Sequence, residues 1–258
     1  MLRAWRADFR CCATDVDGTL TLEDPDTPER ERGCIHPAAY EQIRRMSARG
    51  IPVVLVTGRP LPTVEGLALY LGLCDRGRTE RGAALIAENG AVVKWNGAVH
   101  RLARAPRRAA RAAVRELLEG KPFRGRCEPA FDNALRVCDV GLHTPPDLLP
   151  RVRAWFEKRP ELGLQAMTSN IMSHVVCAGV SKARALHWAL ERMNLGARNV
   201  VVFGDSDTDV PLFEEFERSV AVANYFTPGR APAHAALPAV AAAQPGGAGF
   251  AAVAARLV

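Results

Sequence analysis

Asp15 and Asp17 stand two residues apart in Thr14-Asp15-Val16-Asp17-Gly18-Thr19, directly after the apolar run 9–13. On an extended backbone, residues two apart project to the same side, so both carboxylates can converge at one strand end. Carboxylates held that close repel unless a proton or cation lies between them, and a hard oxygen cluster suits Mg²⁺. The plain alternative is an Asp-Gly turn leaving a strand. Three more stretches carry complementary groups. Ile51-Pro52-Val53-Val54-Leu55-Val56 is a second apolar run and ends in Thr57, Gly58 and Arg59. Lys182 opens a helical pattern after Gly179-Val180-Ser181, and the run 199–203 stops at Gly204 to deliver Asp205, Asp207 and Asp209. Hydroxyl, ammonium and acids thus follow strand ends or helix starts, in an order suited to phosphoryl transfer. Each has a duller reading: Thr57 could merely finish a strand, Lys182 could be an exposed helix-start lysine, and Asp207 reads better as a capping carboxylate than as a ligand.

The elements that must position these groups follow from period and punctuation. Residues 9–14, 52–57, 84–87, 199–203 and 219–223 read as buried strands. Between them, 37–49, 61–71 and 181–193 read as helices; Tyr40, Ile43 and Met46 fall at helical spacing, with Gly50 at the end. Alternating strands and helices predict an α/β fold, a doubly wound parallel Rossmann-like sheet that binds ligands at the carboxyl ends of its strands. Residues 92–178 break the rhythm. A hairpin turning at Asn96-Gly97, an arginine-rich helix, a strand over 134–140, a helix over 146–158 and strands over 164–167 and 174–177 predict a small inserted α+β cap. The expected division is a core over 1–91, the cap over 92–178 and the rest of the core over 179–258. An insert with an unrelated function is the alternative. Residues 227–249, rich in Ala, Pro and Gly, offer no chemistry.

Composition removes several classes of function. No apolar stretch reaches membrane-spanning length, and residues 1–10 lack the apolar segment of a secretory signal, so a cytoplasmic protein is expected. The seven cysteines (11, 12, 34, 74, 127, 138 and 177) form no Cys-x-x-Cys pair and read as reduced, mostly buried thiols rather than a zinc or redox site. The net charge of +6 comes almost entirely from arginine, most densely at 101, 104, 107, 108, 111 and 115. At spacings of three and four these share a helix face, read first as solvated surface and second as a face attracting anionic substrates. Nucleic acid is the least expected partner, because no aromatic residues interleave with the arginines for base stacking. Oligomeric state is not encoded in any readable pattern.

These stretches together resemble the haloacid dehalogenase-like superfamily of phosphohydrolases. The resemblance rests on Asp15-Val16-Asp17-Gly18-Thr19, Thr57, Lys182 and Gly204-Asp205 with Asp209, and it spans nearly the whole chain, including the turn Glu88-Asn89-Gly90-Ala91. It is closest to the subgroup with its cap between the second and third motifs, which includes Cof-like sugar phosphatases, sucrose-phosphate phosphatase, phosphomannomutase and the archaeal-type phosphoglycolate phosphatase. A short cap and His174, eight residues before Lys182, favour the last of these. Thr208 departs from the Asn that many relatives carry before the final Asp. The resemblance implies Asp15 as the nucleophile that becomes phosphorylated and Asp17 as general acid and base. Thr57 and the amides around Asp17, Gly18 and Gly58 would bind the phosphoryl oxygens, and Lys182 would neutralise charge. Mg²⁺ would sit between Asp15, the Asp17 carbonyl, Asp205 and Asp209. Arg59 could reach the phosphate or pair with an acid on the core, and Asn170 and His174 could face a small phosphorylated metabolite from the cap, with 2-phosphoglycolate the first expectation and a sugar phosphate the next. A phosphomutase or phosphotransferase using the same intermediate, and a non-catalytic phosphate-binding module, are the competing functions.

Overall fold

The computed structural model describes residues 1–23, 26, 28, 33–75, 78–79, 83–105, 107–168, 172–226 and 237–258. In chain order the elements are α1 (Leu2–Asp8), β1 (Cys11–Thr14), α2 (Pro37–Ala48), β2 (Val53–Val56), α3 (Leu61–Tyr70), β3 (Cys74–Asp75), β4 (Arg78–Thr79), β5 (Leu85–Ala87), β6 (Val92–Trp95), β7 (Ala98–Arg101) and α4 (Arg107–Glu119). They continue with β8 (Glu128–Pro129), β9 (Val140–His143), α5 (Leu149–Glu157), β10 (Leu164–Thr168), β11 (Met172–Cys177), α6 (Lys182–Arg192), β12 (Val200–Gly204), α7 (Val210–Glu215), β13 (Ser219–Ala221), β14 (Val240–Ala241) and α8 (Gly246–Ala254). A short hairpin pairs β3 with β4.

The large sheet has the order β14-β13-β12-β1-β2-β5-β6-β7, parallel from β14 to β5. Every residue of β1, β2 and β12 is buried, because helices cover both faces and the period-two alternation divides each strand between two cores. Cys12, Val53, Leu55 and Phe203 pack on one side, where the ring of Phe203 lies 4.7 Å from that of Phe250 on α8. Cys11, Ala13, Val54, Val56 and Val202 pack on the other, against Leu186 and Leu190 of α6. This is the expected α/β architecture. Two helix starts carry side-chain caps: His36 Nδ1 accepts the Ala38 amide at 3.1 Å ahead of Pro37, and Ser181 Oγ accepts the Arg184 amide at 3.1 Å.

Two expectations for 92–178 need correction. The hairpin β6–β7, expected to open the inserted segment, extends the large sheet instead, antiparallel to β5. Only Glu88–Gly90 and Ala91 separate β5 from β6, far too short for a parallel crossover, so β6 can only double back. Its tip is as expected, with Asn96 (φ 49°) and Gly97 (φ 82°) both left-handed. The strand expected over 134–140 starts only at Val140; Phe131–Ala134 is a 3₁₀ turn. There Asn133 bonds Gly141 through both ends of its amide, at 2.8 Å each, and holds the segment in a loop.

The remaining part is a four-stranded antiparallel sheet, β10-β11-β9-β8, covered on one face by α4 and α5. Val175 of β11 packs under those helices, whereas Val176 joins the core of the large sheet. Alternation therefore turns His174, two residues from Val176, toward the large sheet. None of the seven cysteines forms a disulfide, and among the described residues no helix is long and apolar enough to cross a membrane.

Candidate active site

Three neighbouring strand ends make the floor of the site. Thr14 stands opposite Leu55 of β2 and Phe203 of β12, so Asp15, the Thr57 turn and Asp205 leave the sheet side by side. The Asp15 amide donates to the Phe203 carbonyl at 3.0 Å, which fixes Asp15 to the neighbouring strand. Gly18 (φ +81°) permits the close return of the loop: a Cβ there would lie 2.1 Å from Asp205 Oδ2.

Lys182 begins α6, yet its side chain is only 1% exposed. Its Nζ lies 3.1 Å from Asp15 Oδ2 and donates to Asp209 Oδ1 at 2.7 Å. Burial alone would push the ammonium toward neutrality, but Asp15 and Asp209 outweigh it and hold Lys182 charged, above the usual lysine range. Burial pushes the Asp15 carboxyl up; Lys182 pulls it down, while Asp209 and Asp17 add repulsion. Asp205 is pushed well up by burial and by Asp15 and Asp209. Its two oxygens accept Thr19 Oγ1 and Asn224 Nδ2, each at 3.0 Å. Asp209 Oδ2 accepts the amides of Asp205 and Ser206 at 3.0 Å and the Ser206 hydroxyl at 3.1 Å. One carboxylate oxygen from each of Asp15, Asp205 and Asp209 lies within 4.8 Å of the others. Three buried carboxylates against one ammonium leave a negative excess, and an all-oxygen set with that excess fits a hard divalent cation.

The other sequence candidates fall into two groups. Thr57 is buried beside this floor, with its Oγ1 accepting the Arg59 amide at 3.2 Å. Asp17 is half-exposed and is not one of the three clustered carboxylates, although its charge raises the Asp15 carboxyl; Arg59 grips it with Nε on Oδ2 at 2.8 Å and Nη2 on Oδ1 at 2.5 Å. Of the two roles open to Arg59, pairing with an acid on the core is the one observed. Asp207 pairs with Arg153 of α5 at 3.1 Å, not with the cluster. Asn170 lies outside the described residues.

His174 is brought over the Thr57-Gly58 turn by a buried network that sequence reading missed. Its Nδ1 lies 2.9 Å from Asp139 Oδ2, and Arg136 Nη1 bonds both Asp139 oxygens at 3.0 and 2.8 Å. Arg136 Nη1 also donates to the Gly58 carbonyl at 3.0 Å, while its other nitrogens hold Asp132 at 2.9 and 2.7 Å. Burial pushes the Asp139 carboxyl up, but the hydrogen bonds and charges of His174 and Arg136 outweigh it and hold it below the usual range. Glu88 reaches across from the large sheet to accept the amides of Val137, Cys138 and Asp139 at 2.8, 2.7 and 2.9 Å. Burial and the charge of Asp139 nevertheless push its carboxyl up to about 7. Glu88 (φ 51°) and Asn89 (φ 56°) are both left-handed, a costly conformation for two successive residues with side chains; it places the Glu88 carboxylate on the amides of 137–139, while the Asn89 amide donates to the Thr57 carbonyl at 3.0 Å. Asn224 was discoverable: it follows the apolar run 219–223 as Asp15 follows 9–13. Arg136 and Asp139 lie in an irregular loop with no period to expose them.

Comparison with known proteins agrees with this geometry. A model of the haloacid dehalogenase-like hydrolases matches residues 12–120 and 131–228. A phosphoglycolate phosphatase of Metallosphaera sedula is 33% identical over 211 residues, 82% of this chain and 84% of that protein. One from Sulfolobus acidocaldarius is 28% identical over 216 residues, 84% of each chain. Among solved structures, a Thermoplasma acidophilum protein superposes with a TM-score of 0.76 at 24% identity, covering 96% of this chain and 98% of that one. A HAD/COF-like hydrolase from Plasmodium vivax gives 0.74 at 15% identity, covering 100% and 99%.

Proposed function

Because the chain belongs to the haloacid dehalogenase-like hydrolases and is a phosphatase, we propose that it hydrolyses a small phosphomonoester through an aspartyl-phosphate on Asp15, with Mg²⁺ as its cation and 2-phosphoglycolate as the first candidate substrate. The observation that carries this reading is the buried Asp15 carboxylate, in contact with Lys182 and within 4.8 Å of Asp205 and Asp209. Asp15, Asp205 and Asp209 would hold the cation, which supplies charge neutralisation for attack of one anion on another.

The residues divide the work by position. Asp15 attacks phosphorus and takes the phosphoryl group as the ester oxygen leaves. Lys182 keeps its charge through the reaction and stabilises the negative charge on the transferring group, as a preorganised electrostatic element. Thr57 and the amides of Gly18 and Gly58 bind the phosphoryl oxygens. Asp17 donates a proton to the leaving oxygen, then takes one from the water that cleaves the aspartyl-phosphate. Arg59 sits on Asp17 at the mouth, where an entering phosphate dianion competes for its guanidinium. The antiparallel sheet is read as a cap over the site, tied down by Glu88 and Arg136. The phosphoglycolate preference is supported by the curated relatives named above.

The test is a panel of phosphorylated metabolites assayed for released phosphate, with and without Mg²⁺. Metal-dependent release of phosphate, lost in Asp15→Asn, is the expected result. Isomerised phosphate without net release, or turnover that survives Asp15→Asn, refutes the proposal.

A further inference from the structure

Each of the three carbonyls in the turn 57–59 is taken by a donor from elsewhere in the chain. The Asn89 amide donates to the Thr57 carbonyl and the Glu88 amide to the Arg59 carbonyl, both at 3.0 Å. The middle carbonyl, on Gly58, accepts Arg136 Nη1 at 3.0 Å from 78 residues away, out of the loop ahead of β9. A trans peptide is planar, so holding a carbonyl on one side aims the next residue's N–H to the other. Fixing the Gly58 carbonyl therefore aims the Arg59 amide, which donates to Thr57 Oγ1 at 3.2 Å. A hydroxyl that accepts this bond keeps its own proton to give away. The chain of contacts runs from the Arg136 guanidinium through the 58–59 peptide to the Thr57 hydroxyl, and each bond in such a chain polarises the next.

The group at the head of this chain is itself held on every side. Arg136 is 3% exposed. Its Nε and Nη2 bond Asp132 at 2.9 and 2.7 Å, and Nη1 divides its hydrogens between the Gly58 carbonyl and the two oxygens of Asp139. The Asp139 amide is tied in turn to Glu88 Oε2 at 2.9 Å. A planar fork can meet acceptors in three fixed directions at once, which a single ammonium cannot. Tethering the two sheets does not require this bond, since Glu88 already takes three amides of the same loop. The contact falls on the one peptide whose N–H reaches Thr57.

We infer that Arg136 is a positioning residue for the phosphoryl-binding turn: through the Gly58 carbonyl it aims the Arg59 amide at Thr57, and so sets the hydroxyl that meets the phosphoryl oxygen. Asp132 and Asp139 hold the guanidinium for this purpose, and Arg136 touches no substrate. This rests on the phosphatase reading above and deepens it, because the turn is complete only while the antiparallel sheet is docked.

The experiment is a double-mutant cycle on the full chain with Mg²⁺, with phosphate release measured on p-nitrophenyl phosphate and 2-phosphoglycolate. Arg136→Lys keeps a charge beside Asp139 but cannot span Asp132, Asp139 and Gly58 together. It should lower kcat/KM by about tenfold on both esters, the scale of a binding group aimed wrongly by a fraction of an ångström. Thr57→Val, which removes the hydroxyl itself, should lower it by about 100-fold. Because Arg136 acts through Thr57, adding Arg136→Lys to Thr57→Val should cost no more than about twofold further. Inhibition by orthovanadate, a phosphoryl mimic, should weaken about tenfold in Arg136→Lys, while Mg²⁺ affinity by calorimetry stays within about twofold of wild type. If thermal melting shows that Arg136→Lys does not fold, Asp132→Asn replaces it, with a loss of about threefold and the same lack of additivity. Additive losses, a loss on one ester alone, unchanged vanadate inhibition or an equal fall in Mg²⁺ affinity overturn the inference, as does Thr57→Val without effect. In each of these cases the phosphatase reading survives. A wild type that releases phosphate from neither ester overturns both.

Discussion

The floor of the site and its roof both bury several charges, but they balance them differently. On the floor, Asp15, Asp205 and Asp209 face the single ammonium of Lys182, and the excess of negative charge is left standing. In the roof, every carboxylate oxygen of Asp132 and Asp139 is hydrogen-bonded by Arg136, and His174 Nδ1 adds a contact to Asp139. Burying charge is costly unless it is compensated, and the excess on the floor is one that a metal ion, or bound protons, could balance. The compensated cluster is complete without one, and suits the holding of a group in place.

The comparison breaks most sharply at Lys182. Lys182→Met should lower kcat by at least about 100-fold, because a preorganised charge at the transferring group is removed. It should also destabilise the metal-free fold by about 3 kcal/mol or more, since buried carboxylates lose the ammonium that Asp15 and Asp209 contact. Steady-state kinetics and urea titration measure the two effects. Next comes the proton competition on the floor. Burial raises the carboxyls of Asp15 and Asp205, so the folded state holds protons that the unfolded chain releases. That contribution is fully present below the ordinary carboxylate range and is lost as pH rises through the raised values. Without metal, the protein should therefore melt lower at pH 8 than at pH 5.5, and added Mg²⁺ should stabilise it more at the higher pH. Apparent Mg²⁺ affinity should weaken up to about tenfold per unit as pH falls through that range, as protons compete for the same oxygens. Calorimetric titration across pH checks the sign.

The tie between floor and roof offers a smaller effect. Glu88→Gln leaves one amide nitrogen where a carboxylate oxygen accepted backbone donors, and should cost about 1–3 kcal/mol. Hydrogen exchange at the amides of 137–139 should quicken, whereas the amides of β1 and β2 should change only with global stability. Smallest is the half-exposed pair Arg153–Asp207, whose removal by Arg153→Ala should change stability by under about 1 kcal/mol.

The floor was legible in the sequence because its residues follow a rule. Asp15, Thr57 and Asp205 come directly after apolar runs, and parallel strands must deliver such residues to one edge. The doubly wound fold was legible for the same reason. The hairpin 92–101 was assigned to the wrong layer, because alternation reveals that a strand exists but not which edge it joins. The roof was the least readable. Glu88 meets the amides of Val137, Cys138 and Asp139 across 49 to 51 residues of sequence, and Arg136 meets the Gly58 carbonyl across 78; no local period records such meetings. Asp17 shows a further limit. Spacing of two predicts the same side of an extended strand, but the strand ends at Thr14, and Asp17 lies beyond it in the hand of Arg59.

Glu88, Asn89 and Gly90 are consecutive, and each touches a different part of the molecule. Glu88 holds the roof, Asn89 lies against Gly58, and Gly90 packs so tightly on Ser181 that a Cβ would stand 2.2 Å from its carbonyl oxygen. This tripeptide works as a socket. Any replacement lobe grafted between β7 and α6 would need its own row of free amides to plug into Glu88, and would otherwise swing loose from an intact catalytic base.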